Sequence, residues 1–286
     1  MIKSLTLIII NFILKYEQLE FLLIPLIKYR ERVRYLKKSS IGSASFVMDV
    51  ESLKTLFHSK TAEIKEPHTI RWIDDFLETG DTVYDVGANV GVYSLYIAAK
   101  FGLKVKVLSF EPEALNFAQL NRNIYSNGFN SIISAYCFAI ANKTEIGTLN
   151  LESWRIGGTV HQFNRSKDHL ENTFSPAHKQ GVFGVSLDDL VYVYGLPKPN
   201  HIKIDVDGIE KLVLQGSEDI LKDLSLKSVH IEITEDQENK TEEIVKIMQK
   251  NNFYIYQAVE SASISVITSA DYTFVREGPS NDLKKL

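Results

Sequence analysis

The segment Thr82-Val83-Tyr84-Asp85-Val86-Gly87-Ala88-Asn89-Val90-Gly91 constrains this chain more than any other. A β-branched apolar run ends on an acid and enters a turn with two glycines. A helical pattern follows at once, from Val92 through Ala99. A strand–turn–helix of this kind gathers backbone N–H groups at the carboxyl end of a strand, and glycine lets that backbone close on a bound group. Twenty residues after Gly91 a second strand, Val105–Phe110, ends on Glu111. An acid there can hold both hydroxyls of a ribose. The pair predicts a nucleoside cofactor.

Strands and helices alternate from this point. Strands are expected at 82–86, 104–110, 131–138, 201–205 and 228–233, with helices at 90–100, 113–127, 208–221 and 238–250. Alternating β and α units call for a parallel sheet with right-handed crossovers. The runs Phe253–Val259, Ser263–Thr268 and Tyr272–Arg276 have no helix between them and predict an antiparallel edge. The expected fold is therefore α/β: a doubly wound, mostly parallel, seven-stranded Rossmann-like sheet. Residues 1–44 are expected to form an N-terminal helical extension and 45–286 the main domain, which opens with a strand near 45–50 and a helix over 68–77. A polar insertion at about 145–186 interrupts the rhythm on the acceptor side.

Charge narrows the partners. The 286 residues hold 32 Lys and Arg against 36 Asp and Glu, a net of −4, so no overall basic character points to nucleic acid. Cys137 is the single cysteine, which excludes an internal disulfide and a multi-cysteine zinc site; it is expected to be a buried, inert thiol in the third strand. His161, His169 and His178 are spaced too widely to ligate together on one element, so no metal is expected. Residues 28–38 carry Lys28, Arg30, Arg32, Arg34, Lys37 and Lys38 against Glu31 alone. Ahead of them lie two apolar runs, each shorter than the roughly 20 residues of a membrane span. Two readings stand for residues 1–38: a helical extension packing on the domain or on a second subunit, making a homo-oligomer, or a peripheral anchor on anionic headgroups. The expected location is cytoplasmic, on the inner face of the membrane under the second reading.

The turn chemistry selects among nucleosides. A dinucleotide fingerprint has three glycines shaped around a pyrophosphate. Here there are two, and Asp85 stands two residues before the first. An acid repels a pyrophosphate but suits an ammonium. S-adenosylmethionine (SAM) offers an ammonium for Asp85, a carboxylate for the N–H groups of the turn and a ribose for Glu111, so SAM is expected rather than NAD. Asp85, Gly87, Ala88, Asn89, Gly91, Glu111 and Pro112 are the expected cofactor residues. Phe138 and Ala139, after the third strand, are expected beside the adenine.

On these residues the chain resembles the FkbM-type SAM-dependent methyltransferases over roughly 80–235. Tyr84–Gly91 is similar to the family's first motif and Phe110-Glu111-Pro112 to its second. Asn121-Arg122-Asn123-Ile124 and Asn127 resemble the next helix, and Val185–Leu190 a later strand-to-helix segment. Ile202-Lys203-Ile204-Asp205-Val206-Asp207-Gly208-Ile209-Glu210, followed by Val213-Leu214-Gln215-Gly216, resembles the most distinctive signature. Asp207 stands where the family usually has Glu, and Asn142 where an acid is common. The resemblance implies methylation of a hydroxyl, often on a sugar or polyketide.

Methyl transfer to an alcohol is an in-line displacement helped by positioning and by a base for the hydroxyl proton. Asp205 is the first candidate, as base or as orienting group. Glu210 and Lys203 are expected beside it at the floor of the acceptor site, with Lys203 on the same strand face and pairing with an acid. Asp207 and Glu210 also have the spacing of a capping box. Glu232, at the next strand end, reads first as an ordinary strand-end acid. His161 is the candidate from the insertion, and Trp154 could stack on a sugar ring. The rival readings are a binding or scaffold module that keeps the fold without the chemistry, and an NAD-dependent oxidoreductase.

Overall fold

The computed structural model describes residues 23–25, 28–29, 33–61, 63–165, 175–234, 240–260 and 269–276. His169, the strand expected at 263–268 and most of the N-terminal extension lie outside them. The chain divides into a unit of residues 1–36 and a larger one of residues 37–286. The larger unit thus begins before the expected residue 45. The hairpin β1 (Leu36–Ile41) and β2 (Ala44–Asp49) stands where the end of a helical extension was expected. It is tied to the main body by side-chain amides: Asn127 Oδ1 accepts from Val47 N at 2.7 Å, and Asn123 Oδ1 from Asp49 N at 2.8 Å.

Helices α1 (Leu53–Thr61) and α2 (Pro67–Phe76) lead into the sheet. Then come β3 (Thr82–Val86), α3 (Val92–Phe101), β4 (Lys106–Phe110), α4 (Ala114–Asn127) and β5 (Ile133–Tyr136). β6 (Ala139–Ile140) joins the insertion's β7 (Glu145–Leu151), β8 (Gln162–Phe163) and β9 (His178–Val185) in a separate four-stranded sheet ordered β6-β9-β7-β8. The main alternation resumes with α5 (Leu187–Tyr192), β10 (His201–Ile204), α6 (Glu210–Gln215), α7 (Glu218–Lys222), β11 (Ser228–Thr234), α8 (Lys240–Lys250), β12 (Phe253–Glu260) and β13 (Ser269–Arg276).

The central sheet has seven strands in the order β12-β13-β11-β10-β3-β4-β5. All neighbours are parallel except at β13, which runs antiparallel to β11 and β12. This is the doubly wound sheet that the alternation predicts. Both faces are buried, as parallel strands covered by helices require. Tyr84, Val86, Leu108, Phe110, Ile202 and Ile204 pack on one side, and Val83 and Val107 on the other with Trp72, Leu95 and Ile97. Three local expectations change. The third strand splits into β5 and β6, and the helix expected over 208–221 becomes two short ones, α6 and α7, separated at Gly216-Ser217. A Cβ at Gly216 would lie 2.3 Å from Ala141 O, so the chain turns where backbone meets backbone. Cys137 is exposed rather than buried, because it follows β5 at the open edge of the sheet. Among the described residues no helix is long and apolar enough to cross a membrane.

Candidate active site

The carboxyl ends of β3, β4 and β10 open into a cavity roofed by the insertion and walled by α1 and the residues before α2. The glycine turn forms its floor. Gly87 adopts φ +81°, and a Cβ there would stand 1.9 Å from Asp205 O, so only glycine lets the ends of β3 and β10 approach so closely. Asn89, with φ 49°, also takes the left-handed region, which short polar side chains tolerate.

Asp85 is buried at the head of this turn. Ser94 Oγ donates to its Oδ2 at 2.5 Å and contacts Ser109 Oγ at 2.7 Å. Its other oxygen, Oδ1, is buried without a partner. Burial raises the Asp85 pKa, opposed by the nearby Lys203. Glu111 accepts from Asn89 N and Glu113 N, each at 2.8 Å. Burial pushes its carboxyl up to about 8 against the pull of those N–H groups. Each of its oxygens keeps lone pairs for a further donor. Phe110, Pro112, Phe138, Ala139 and Ile140 make an apolar wall beyond it.

The other half of the cavity is ionic. Lys203 Nζ donates to Asp205 Oδ2 at 2.7 Å and lies 5.2 Å from the centre of the Tyr93 ring. Burial opposes its charge, but Asp205, Glu66 and Asp85 hold it protonated. Asp205 is likewise opposed by burial, and Lys203 and Lys65 outweigh that, so its pKa falls. Glu232 moves the other way, raised well above the ordinary carboxyl value by burial and by the Asp205 carboxylate. Glu66, Asp205 and Glu232 each offer an oxygen within 4.8 Å of the others. Lys65, bonded to Glu66 at 2.7 Å, and Lys203 supply the compensating cations.

The roof is pinned at both ends. Gly158 O accepts from Asn89 Nδ2 and from Asn116 Nδ2, each at 3.0 Å, and Gly157 N donates to Asn116 Oδ1 at 2.7 Å. At the other end Asp207 Oδ2 accepts from Val160 N at 2.5 Å and His161 N at 3.2 Å. Val160 stands at φ +64°, which for a β-branched residue costs on the order of 1–3 kcal/mol and needs such pinning to persist.

The FkbM methyltransferase domain pattern matches residues 85–255, more than half of the chain. The chain belongs to the FkbM methyltransferase family. By family it is a methyltransferase, which displaces the oxidoreductase reading. A hexuronic acid methyltransferase, AglP, from Haloferax volcanii is 25% identical over 200 residues, covering 66% of this chain and 76% of the relative. Methyltransferase sdnD of Sordaria araneosa is 28% identical over 162 residues, covering 49% of this chain and 61% of the relative. A solved FkbM methyltransferase from Methylobacillus flagellatus KT is 14% identical with a TM-score of 0.48, covering 69% of this chain but only 45% of that one. The magnesium protoporphyrin IX methyltransferase of Synechocystis PCC 6803, solved with bound SAM, is 12% identical with a TM-score of 0.46, covering 78% and 81%.

Of the site residues named from the sequence, Asp85, Gly87, Ala88, Asn89, Glu111, Pro112, Phe138 and Ala139 line the cavity, as do Lys203, Asp205 and His161. Two do not. Gly91 is structural: at φ +90° it precedes α3, and a Cβ there would meet Leu120 Cδ1 at 2.4 Å. Glu210 is fully buried away from the cavity, accepting from Gly208 N at 3.0 Å and pairing with Lys240 at 2.7 Å. The capping-box reading of Asp207 also changes. Helix α6 begins at Glu210 with Ile209 as its cap, which frees Asp207 to hold the roof. Trp154 packs edge-on against His178 at 4.5 Å and lies outside the cavity lining. His58, Thr61, Lys65, Glu66 and Asn116 line the cavity without having been singled out from the sequence. Glu66 just ahead of Pro67 was the one visible signal, and it reads first as a helix start.

Proposed function

We propose that this chain transfers a methyl group from SAM to a hydroxyl of a sugar-like, polyhydroxy acceptor. The observation that carries the reading is the pair of buried acids flanking the glycine turn, with Asp85 Oδ1 unpartnered beside the cavity. Asp85 would hold the ammonium, the N–H groups of the turn the carboxylate, Glu111 the ribose hydroxyls, and the Phe110–Phe138–Ile140 wall the adenine. Bound there, SAM supplies an electrophilic methyl group.

The protein's own residues do the rest. Asp205, kept ionised by Lys203, accepts a hydrogen bond from the acceptor hydroxyl, turns the hydroxyl lone pair toward the methyl group and takes the hydroxyl proton as the new C–O bond forms. Glu66 offers a second acceptor across the cleft. Positioning of this kind is where most of the rate in such a displacement arises. The hexuronic acid named for the Haloferax relative makes a uronic acid-bearing glycan the first acceptor to try. For residues 1–38 we propose a peripheral contact with anionic membrane, carried by the basic cluster at 28–38; co-flotation with anionic vesicles that survives their deletion would refute it.

The test of the main reading is calorimetry with SAM, followed by incubation with hexuronate-containing glycans and mass spectrometry for added methyl groups. Asp85→Asn and Glu111→Gln should each weaken SAM binding at least tenfold. Absence of SAM binding by the unmodified protein would end the proposal.

A further inference from the structure

The roof holds a group for which the cofactor site has no use. His161 lines the cavity, and both of its ring nitrogens, Nδ1 and Nε2, are buried without a hydrogen-bond partner. Buried polar atoms are almost always paired, so a ring with neither nitrogen satisfied is shaped for a partner that arrives. Its placement is enforced rather than incidental. Asp207 Oδ2 takes both the Val160 and the His161 backbone N–H, holding Val160 at positive φ. Gly158 leaves room for the ring, since a Cβ there would lie 3.1 Å from Nε2. Gln162 Nε2 donates to Asp207 O at 2.5 Å, and Arg165 Nη1 donates to Gly208 O at 3.1 Å, so the strand after His161 is fastened to the same turn. That turn follows β10 directly and begins at Asp205. The backbone of His161 is therefore held from the Asp205 end of the cavity, while its ring lies against Gly158, which Asn89 and Asn116 fix from the glycine-turn end.

We infer that His161 forms a roof subsite that donates one hydrogen bond to, and accepts one from, neutral hydroxyls of the acceptor, and that Asp207 is the positioning residue that aims it. The inference rests on the proposed methyl transfer and assigns part of its acceptor site. A neutral imidazole carries one N–H and one lone pair, which matches adjacent hydroxyls and gives no counter-charge to an anion. Burial and the nearby Lys54 lower the ring's pKa to about 4, so it stays neutral at physiological pH.

The experiment is NMR of the full-length protein with ¹⁵N-labelled histidine, saturated with S-adenosylhomocysteine (SAH). Methyl glucoside and methyl glucuronide serve as probes. The expected result is that both sugars shift the His161 ring nitrogens, in the unmodified protein and in Asp207→Asn, which retains an acceptor oxygen. In Asp207→Ala the response should vanish, and the His161 titration point should climb from about 4 toward 6.5 as the roof is released. His161→Gln, which keeps a donor and an acceptor, should weaken the response of the remaining site signals to the sugars less than His161→Ala does. Three outcomes overturn the inference: an unchanged His161 titration in Asp207→Ala, ring signals indifferent to both sugars while SAH is bound, or a ring fully engaged by SAH alone. Failure of the unmodified protein to bind SAH would instead remove the methyl-transfer reading.

Discussion

Replacing Gly87 with alanine probes the contact on which the cavity floor depends. The added Cβ would stand 1.9 Å from Asp205 O and 2.9 Å from Asp205 C, both backbone atoms that cannot rotate away. Relief requires the ends of β3 and β10 to part by roughly 1 Å, since non-bonded atoms repel steeply inside their contact distance. The Asp205 N to Val86 O hydrogen bond, now 3.0 Å, would then be stretched beyond useful range. The left-handed φ adds roughly 1–2 kcal/mol for a residue with a Cβ. The overlap adds roughly 1–3 kcal/mol, and the lost hydrogen bond roughly 0.5–1.5 kcal/mol. The sum is a destabilisation of roughly 2.5–6.5 kcal/mol. Gly128→Ala is the control, because Gly128 has φ +67° and nothing within 4 Å of its added Cβ, leaving only the backbone penalty. Urea unfolding of both variants gives the comparison through their midpoints. Gly87→Ala should lose roughly 1.5–4.5 kcal/mol more than Gly128→Ala, the difference that the clash and the lost bond supply, and should also lose SAM binding. Equal losses in the two variants would refute the close contact between the turn and Asp205.

Other substitutions separate the roles. Lys203→Met strands Asp205 and Asp85 beside an apolar side chain, and should cost roughly 3–5 kcal/mol in urea unfolding, as removal of one partner of a buried pair does; a loss below 1 kcal/mol would show that the acids are not held by this lysine. Glu210→Gln should lower stability through its bonds to Gly208 and Lys240 while leaving SAM affinity within twofold by calorimetry; a large affinity loss would return Glu210 to the site. Glu111 sets a pH dependence. Its folded-state pKa of about 8 lies above the ordinary 4.5, so the folded protein without cofactor binds more protons than the unfolded chain between those values. Its contribution to stability is fully present below about 4.5 and is lost as pH rises through about 8. Thermal unfolding of Glu111→Gln should therefore fall less steeply across this window than that of the unmodified protein, and parallel curves would contradict the buried, proton-retaining carboxyl.

The sheet, its order of alternation and the acids beside the glycine turn were legible because their signals are local. Strand periodicity, the glycine pair and the acids at two strand ends all lie within a few residues of the groups they position. Gly91 and Glu210 were misplaced for a related reason. Each sits inside a motif that touches the cavity, but motif membership does not say which side of the backbone faces inward. For Gly91 that is decided by Leu120 on α4, and for Glu210 by Lys240 on α8.

What the sequence by itself determined is the doubly wound fold, the turn at Gly87 and the acids Asp85, Glu111 and Asp205 at strand ends. Tertiary structure alone decided what surrounds them. Register across five strands aligns Ser109, Asp85, Lys203, His230 and, on β13, Thr273 into one buried polar row. The next row brings Glu232 opposite Asp271. Lys65 and Glu66 reach Asp205 from well upstream, and Asp207 reaches Val160 and His161 across the roof. The physical reason is that hydrogen bonds and ion pairs form between whatever the folded backbone brings within about 3 Å, and for these residues that proximity arises from strand pairing and loop closure, not from spacing along the chain.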